Sequence, residues 1–139
     1  MFQRIMAAFD ESPEAGRALR VAVELSKALR AELKIITVLE PLPSYFSFAV
    51  SAAFAGEWED ERKAKYGELH EQARQLASSA GLHFDIELIH GDEVGTIIQY
   101  AKKYCADLLV LGMRRHKLLL GHTGVDVAER SPCPLLGVR

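Results

Sequence analysis

Hydrophobic residues along this chain fall into two alternating arrangements: short, dense runs, and longer stretches in which they recur every three or four positions. The dense runs are Ile5 to Phe9, Glu32 to Leu39, Leu82 to Ile89, Leu108 to Leu111 and Leu135 to Val138. An unbroken apolar run of this length reads as a strand covered on both faces, as in a parallel sheet. Leu82 to Ile89 alternates only in part, which predicts a less deeply buried strand at the sheet edge.

The stretches between them have helical period. Ser12 is placed to cap the first helix, with Pro13 at its first position and Glu14 favourable to its dipole. Ala18, Val21, Ala22, Leu25, Ala28 and Leu29 form its expected inner stripe, and Arg17, Arg20, Glu24 and Lys27 the outer one, to an end near Arg30. Glu40-Pro41-Leu42-Pro43 closes the second strand. Glu57 to Ser79 is the second helix, with Trp58, Leu69, Ala73, Leu76 and Ala80 inward, a solvated face of Glu59, Glu61, Arg62, Lys63, Lys65 and Glu68, and Gly81 as its stop. Asp92 is placed to cap a third helix with Val94, Ile97, Ile98, Ala101 and Tyr104 inward, and Lys102 and Lys103 near its C-terminus. A fourth helix opens at Gly121-His122-Thr123 and ends near Arg130, before Ser131-Pro132-Cys133-Pro134. Ser44 to Gly56 is apolar and aromatic without clean period. It reads as a loop packed on its own sheet or a backward extension of the next helix, as a partner or dimer surface formed by Tyr45, Phe46, Phe48 and Phe54, or as a membrane contact.

Strict alternation of strand and helix implies an α/β fold: a single open five-stranded parallel sheet with helices on both faces, joined by right-handed crossovers. In the doubly wound order 3-2-1-4-5, strands one and four are neighbours whose connections leave in opposite directions. The cleft between their carboxyl ends is then where a ligand binds. Asp10 ends the first strand and Gly112 the fourth. Arg114, Arg115, His116 and Lys117 follow in a cationic loop, and the N–H groups at Gly121, His122 and Thr123 would face an anion.

Composition narrows this picture. With 139 residues, 49% of them hydrophobic, one domain over 1–139 with a proper core is expected. A net charge of -2 and a pI near 6.2 argue against a nucleic-acid or anionic-membrane surface. Two cysteines, Cys105 and Cys133, are too few for a disulfide framework, fit a reducing compartment and are expected to be buried or inert. The N-terminus has no signal-peptide pattern, and no apolar run approaches the roughly 20 residues of a membrane span. A cytoplasmic location is expected.

The chain resembles the universal stress protein family from end to end, through RIMAAFDESPEA, AELKIITVLEP, HGDEVGTIIQYAKKYCADLLVLGMR and LLLGHTGVDVAERSPCPLLGVR. The resemblance implies a Rossmann-like sheet of the adenine nucleotide alpha hydrolase type, and dimerisation through the last strand, Leu135 to Val138. That strand is an apolar edge that pairing with a symmetry mate would protect. Nucleotide-binding members carry ATP in the cleft with the motif G-x-x-G, nine residues, G-[ST]. By this resemblance Asp10 contacts the adenosine part, Val38 meets adenine, and Leu111, Gly112 and Arg114 begin the phosphate loop. The chain then departs from the motif: Arg115 stands at the second glycine, only the five residues His116 to Leu120 precede Gly121, His122 replaces the Ser or Thr, and Thr123 comes one position late. A side chain at Arg115 forbids glycine's close approach, and a shorter loop cannot wrap a triphosphate in the same way.

Two readings follow. One is a non-enzymatic, dimeric stress-response or regulatory protein with a degenerate cleft, beside which the loop cations are merely solvated. The alternative is a switch that binds ATP, with magnesium, or AMP through side chains of its modified loop, and hydrolyses ATP slowly. Asp10 and His122 are the candidate bases by position. No Ser-His-Asp set, Walker loop or metal-ligand spacing appears in the sequence, so no catalytic residue or metal site is expected, His116 and His122 included. The protein partner is not named by the sequence.

Overall fold

A computed structural model of the chain describes residues 1–41, 52–114 and 123–139. Its elements, in order, are β1 (Arg4–Ala8), α1 (Pro13–Leu29), β2 (Glu32–Leu39), α2 (Ala52–Ser79), β3 (Phe84–His90), α3 (Glu93–Tyr104), β4 (Leu108–Gly112), α4 (Thr123–Arg130) and β5 (Leu135–Val138). Ala7 pairs in parallel with Ile35 on one side and Val110 on the other, so β1 lies at the centre. Among the described residues the sheet is five-stranded and parallel, in the order β3-β2-β1-β4-β5. This is the expected topology, with β3 at one edge.

The unbroken apolar runs are explained by two cores, one on each face. Ile5, Ala7, Leu33, Ile35 and Val110 face α1 and α2, where Ala18, Leu19, Ala22, Val23 and Ala73 meet them. Their alternates Met6, Ile36, Leu109 and Leu111 face Ile97, Ile98 and Ala101 of α3 and Val127 of α4. Period two along a strand with both sides covered leaves no polar position in the middle of the sheet. Thr37 and Lys34 of β2 are exceptions, Thr37 paired with His70 of α2. Lys34 has charged partners. It is buried on the outer part of the second face, where its ammonium bonds Asp85 and, at 2.8 Å, Glu87 of β3. Those charges guard the exposed edge strand against pairing with another chain.

Helix starts and stops follow their local chemistry. The Ser12 hydroxyl accepts from the Ala15 amide at 3.2 Å, Asp92 accepts from the Gly95 amide at 2.7 Å, and Gly81 takes φ +70° just beyond α2. The phase of α1 differs from expectation. Ala15, Ala18, Leu19, Ala22, Val23 and Ser26 are buried, Val21 and Leu25 lie half-buried at the margin, and Ala28 and Leu29 are exposed. The charged face of α2 is also less solvated than expected: Arg62 and Glu59 are half-buried, and the Arg62 Nη1 donates to the Glu40 carbonyl at 2.9 Å. The second helix begins earlier than expected, at Ala52, because the alanines around Phe54 favour helix whatever their period. Residues 52–56 therefore extend the helix backwards, while Tyr45, Phe46 and Phe48 lie outside the described residues. Cys105 is not buried: it is exposed at the left-handed C-cap of α3, with φ 55°. Cys133 is half-buried, and burial pushes its thiol pKa up. No described helix is long and apolar enough to cross a membrane.

Candidate functional site

Every connection that leaves a parallel strand leaves from the same end, so the residues after β1, β2, β3 and β4 converge on one edge of the sheet. There they surround a cleft of about 830 Å³. Ile36, Val38, Ile97 and Leu111 contribute its apolar lining, and Asp10, Gly112, Arg114 and Thr123 stand around them. Six of the expected site residues, Asp10, Val38, Leu111, Gly112, Arg114 and Thr123, are thus brought together. Arg115, Gly121 and His122, with His116 and Lys117, lie outside the described residues.

Asp10 is oriented from both sides. Its Oδ1 accepts from the Ser12 amide at 2.8 Å, which folds the chain from strand into helix cap. Its Oδ2 lies 3.7 Å from the Arg114 guanidinium, which comes from the far side of the cleft on the turn after β4. Both groups are partly exposed, so this pair contributes little to stability and remains open to exchange with a ligand.

Gly112 lines the cleft, as expected from sequence, and also has a packing role that the sequence did not show. A Cβ there would fall 2.6 Å from the Ala15 nitrogen and the Glu14 carbonyl carbon, so the first turn of α1 rests on this glycine. The next residue, Met113, occupies the space left by two more glycines: a Cβ at Gly124 would lie 2.5 Å from its sulfur, and one at Gly137 2.5 Å from its Cγ. The turn carrying Arg114 is therefore wedged between α4 and β5.

Sequence reasoning missed several charged groups. Arg17 and Arg139 join Arg114 on the cleft wall, with the Arg17 Nε donating to the Arg139 backbone oxygen at 2.9 Å. At the mouth, the Lys65 ammonium 2.9 Å from Glu11 holds that carboxyl below its usual range. Burial, together with the Glu11 carboxylate, pushes the Tyr66 phenol up to about 12. Glu93, the first residue of α3, lines the cleft, and its amide donates to Glu40 Oε1 at 3.1 Å. Burial raises the pKa of the Glu93 carboxyl, and the Asp10 and Glu40 carboxylates raise it further; the Arg114 guanidinium and the Thr123 hydroxyl pull the other way. The signal for Glu93 was topological: it follows a strand at the edge where ligands bind. Among the described residues no group of three or more His, Cys, Asp or Glu side chains is disposed to hold a metal ion.

The sequence model of the universal stress protein family matches residues 1–139. The chain is 30% identical to universal stress protein YxiE of Bacillus subtilis, covering 100% of both chains. Its fold superposes on universal stress protein UspA from Lactobacillus plantarum with a TM-score of 0.86 at 24% identity, over 99% of this chain and 98% of that one. A universal stress protein in complex with cAMP is 28% identical, with a TM-score of 0.74 over 99% of this chain and 97% of that one. The strand order, the cleft between β1 and β4 and the match over the whole sequence have one meaning: the chain belongs to the universal stress protein family.

Proposed function

We propose that this chain is a non-catalytic, regulatory stress-response protein of one cytoplasmic domain, residues 1–139, that binds an adenine mononucleotide in the cleft between β1 and β4. The observation that carries this reading is the open cleft in which Val38, Asp10 and Arg114 stand together. Val38 suits a base, and Asp10 accepts hydrogen bonds from a base or sugar. Arg114, Arg17 and Arg139 supply cations for one phosphate. The relative in complex with cAMP supports a mononucleotide, as does the loop between Gly112 and Gly121, too short to wrap a triphosphate. Calorimetric titration of the ligand-stripped protein tests it. AMP or cAMP is expected to bind with a Kd of about 1–100 μM, and Asp10→Ala to weaken it by roughly tenfold or more. No heat up to about millimolar nucleotide would leave the degenerate-cleft reading, which the mutual pairing of Asp10 and Arg114 favours. Phosphate release from ATP with magnesium in the same preparation would instead support the slow-hydrolysis switch.

The same reading includes a homodimer through Leu135 to Val138. β5 is an edge strand, and Leu136 is exposed on it. Sedimentation at micromolar concentration is expected to give a dimer for the natural sequence and a monomer for Leu136→Asp, which would bring two like charges face to face across the two-fold axis. A natural chain sedimenting as a monomer would refute the dimer.

A further inference from the structure

Resting on the reading of the cleft as a mononucleotide site, we propose that Glu93 decides which ligands it holds: its carboxylate stands as an internal anion opposite Thr123, so an anionic ligand binds there together with a proton from solvent. Thr123 begins α4, where helix N–H groups and the hydroxyl would receive a phosphate. Glu93, at the start of α3, lines the same cleft as Thr123, and the Thr123 hydroxyl acts on its carboxyl. A phosphate placed there meets a negative charge in a half-buried setting, where water screens it poorly.

The groups around Glu93 make its charge costly without adding the ligand. Asp10 from the end of β1 and Glu40 from the end of β2 are the carboxylates that act on it, while its chain neighbour Asp92, the N-cap of α3, accepts from the Gly95 amide. Among the described residues Arg114 after β4 is the cation that acts on the Glu93 carboxyl, and it is shared with Asp10 at 3.7 Å, while Arg17 and Arg139 stand on the same cleft wall. A phosphate at Thr123 would add a further anion beside carboxylates that already outnumber Arg114 there. The balance is restored when the Glu93 carboxylate takes a proton and becomes a hydroxyl donor to the phosphate oxygen. A neutral nucleoside imposes no such demand. The same cleft would then distinguish adenosine from cAMP by pH alone.

The test is calorimetric titration with cAMP and with adenosine from about pH 5 to about pH 8, in two buffers of different ionisation enthalpy. Cyclic AMP is the probe because its phosphodiester does not titrate in this range, unlike the phosphate of AMP. Its affinity is expected to rise as pH falls, by up to about tenfold per unit for one linked proton, with buffer-dependent heat showing the uptake. Adenosine should show neither effect. Glu93→Gln should raise cAMP affinity at neutral pH by roughly tenfold and abolish both the pH slope and the buffer dependence. Binding of cAMP to Glu93→Gln but not to the natural protein would support the proposal in its strongest form. Cyclic AMP binding that ignores pH, or a slope that survives in Glu93→Gln, overturns it while leaving the nucleotide site intact. Failure of both probes with both proteins at every pH overturns the site and the proposal together.

Discussion

Gly112→Ala is expected to destabilise the protein by about 2–3 kcal/mol and to weaken nucleotide binding with it. The added methyl would lie 2.6 Å from two backbone atoms of α1 and 2.9 Å from the Glu14 Cβ. A flexible side chain could swing aside, but a helix turn cannot, so α1 must shift away from β4. Ser12 and Asp10 sit immediately before that turn, and the Ser12 amide is what holds the Asp10 carboxylate. A strain introduced at the end of β4 is therefore felt on the opposite side of the cleft. Urea unfolding is the measurement, with a fall in midpoint at unchanged slope as the expected result. Gly16→Ala is the matched control. It lies in the same helix with nothing within 4 Å of its would-be Cβ, and alanine there should stabilise by about 0.5–1 kcal/mol. Equal effects from the two substitutions would mean that Gly112 does not carry the contact described here.

The contrast between these glycines shows where sequence reading stops. Alternation of strand and helix was enough for a parallel sheet, because the apolar runs of the central strands are covered on both faces. The partly polar pattern of β3 correctly marked an edge, since Asp85 and Glu87 interrupt it where no helix covers the sheet. Caps at Ser12 and Asp92 were legible because they depend on residues three positions apart.

What was not legible depends on contacts distant in sequence. In α1 two neighbouring rows, Ala18-Ala22-Leu25-Leu29 and Ala15-Leu19-Val23, both have helical spacing, and alanine fits either side. The entry angle of the helix over β1 and β4 decides between them. Lys34 within an apolar strand and Arg62 within a charged face are satisfied by partners about 50 and 22 residues away, invisible to any local pattern. The site divides in the same way. Asp10, Val38, Leu111, Gly112 and Arg114 follow from strand ends and family motif, whereas Glu93, Arg17 and Arg139 reach the cleft only through the sheet order. The contact of Gly112 with α1 was not legible because a glycine at a strand end suits a ligand and a helix equally, and the helix reaches it only through the fold.

His70 and Thr37 give the second large effect. The His70 ring Nε2 lies 2.7 Å from the Thr37 hydroxyl, both groups are buried, and this pair ties α2 to β2. Burial lowers the histidine pKa, and the nearby Arg74 charge lowers it further. The folded protein therefore binds that proton less readily than the unfolded chain does. By linkage, the stability this confers is present above the unfolded pKa of about 6.5 and is lost as pH falls from there towards the folded value. Glu93 acts in the opposite sense: its raised pKa contributes stability at low pH that is lost as pH rises through it. A variant without His70 isolates the first contribution. His70→Ala should cost about 2–4 kcal/mol at neutral pH, from the cavity and the orphaned hydroxyl together. Thr37→Val leaves the ring nitrogen unpaired and should cost about 1–3 kcal/mol. The double variant Thr37→Val with His70→Leu removes both polar atoms at similar volume, so it should recover most of that loss and unfold with a shallower dependence on acid. If the double variant keeps the full acid slope in urea titrations below neutral pH, the slope arises elsewhere, and the buried pair is then a packing contact without a titrating role.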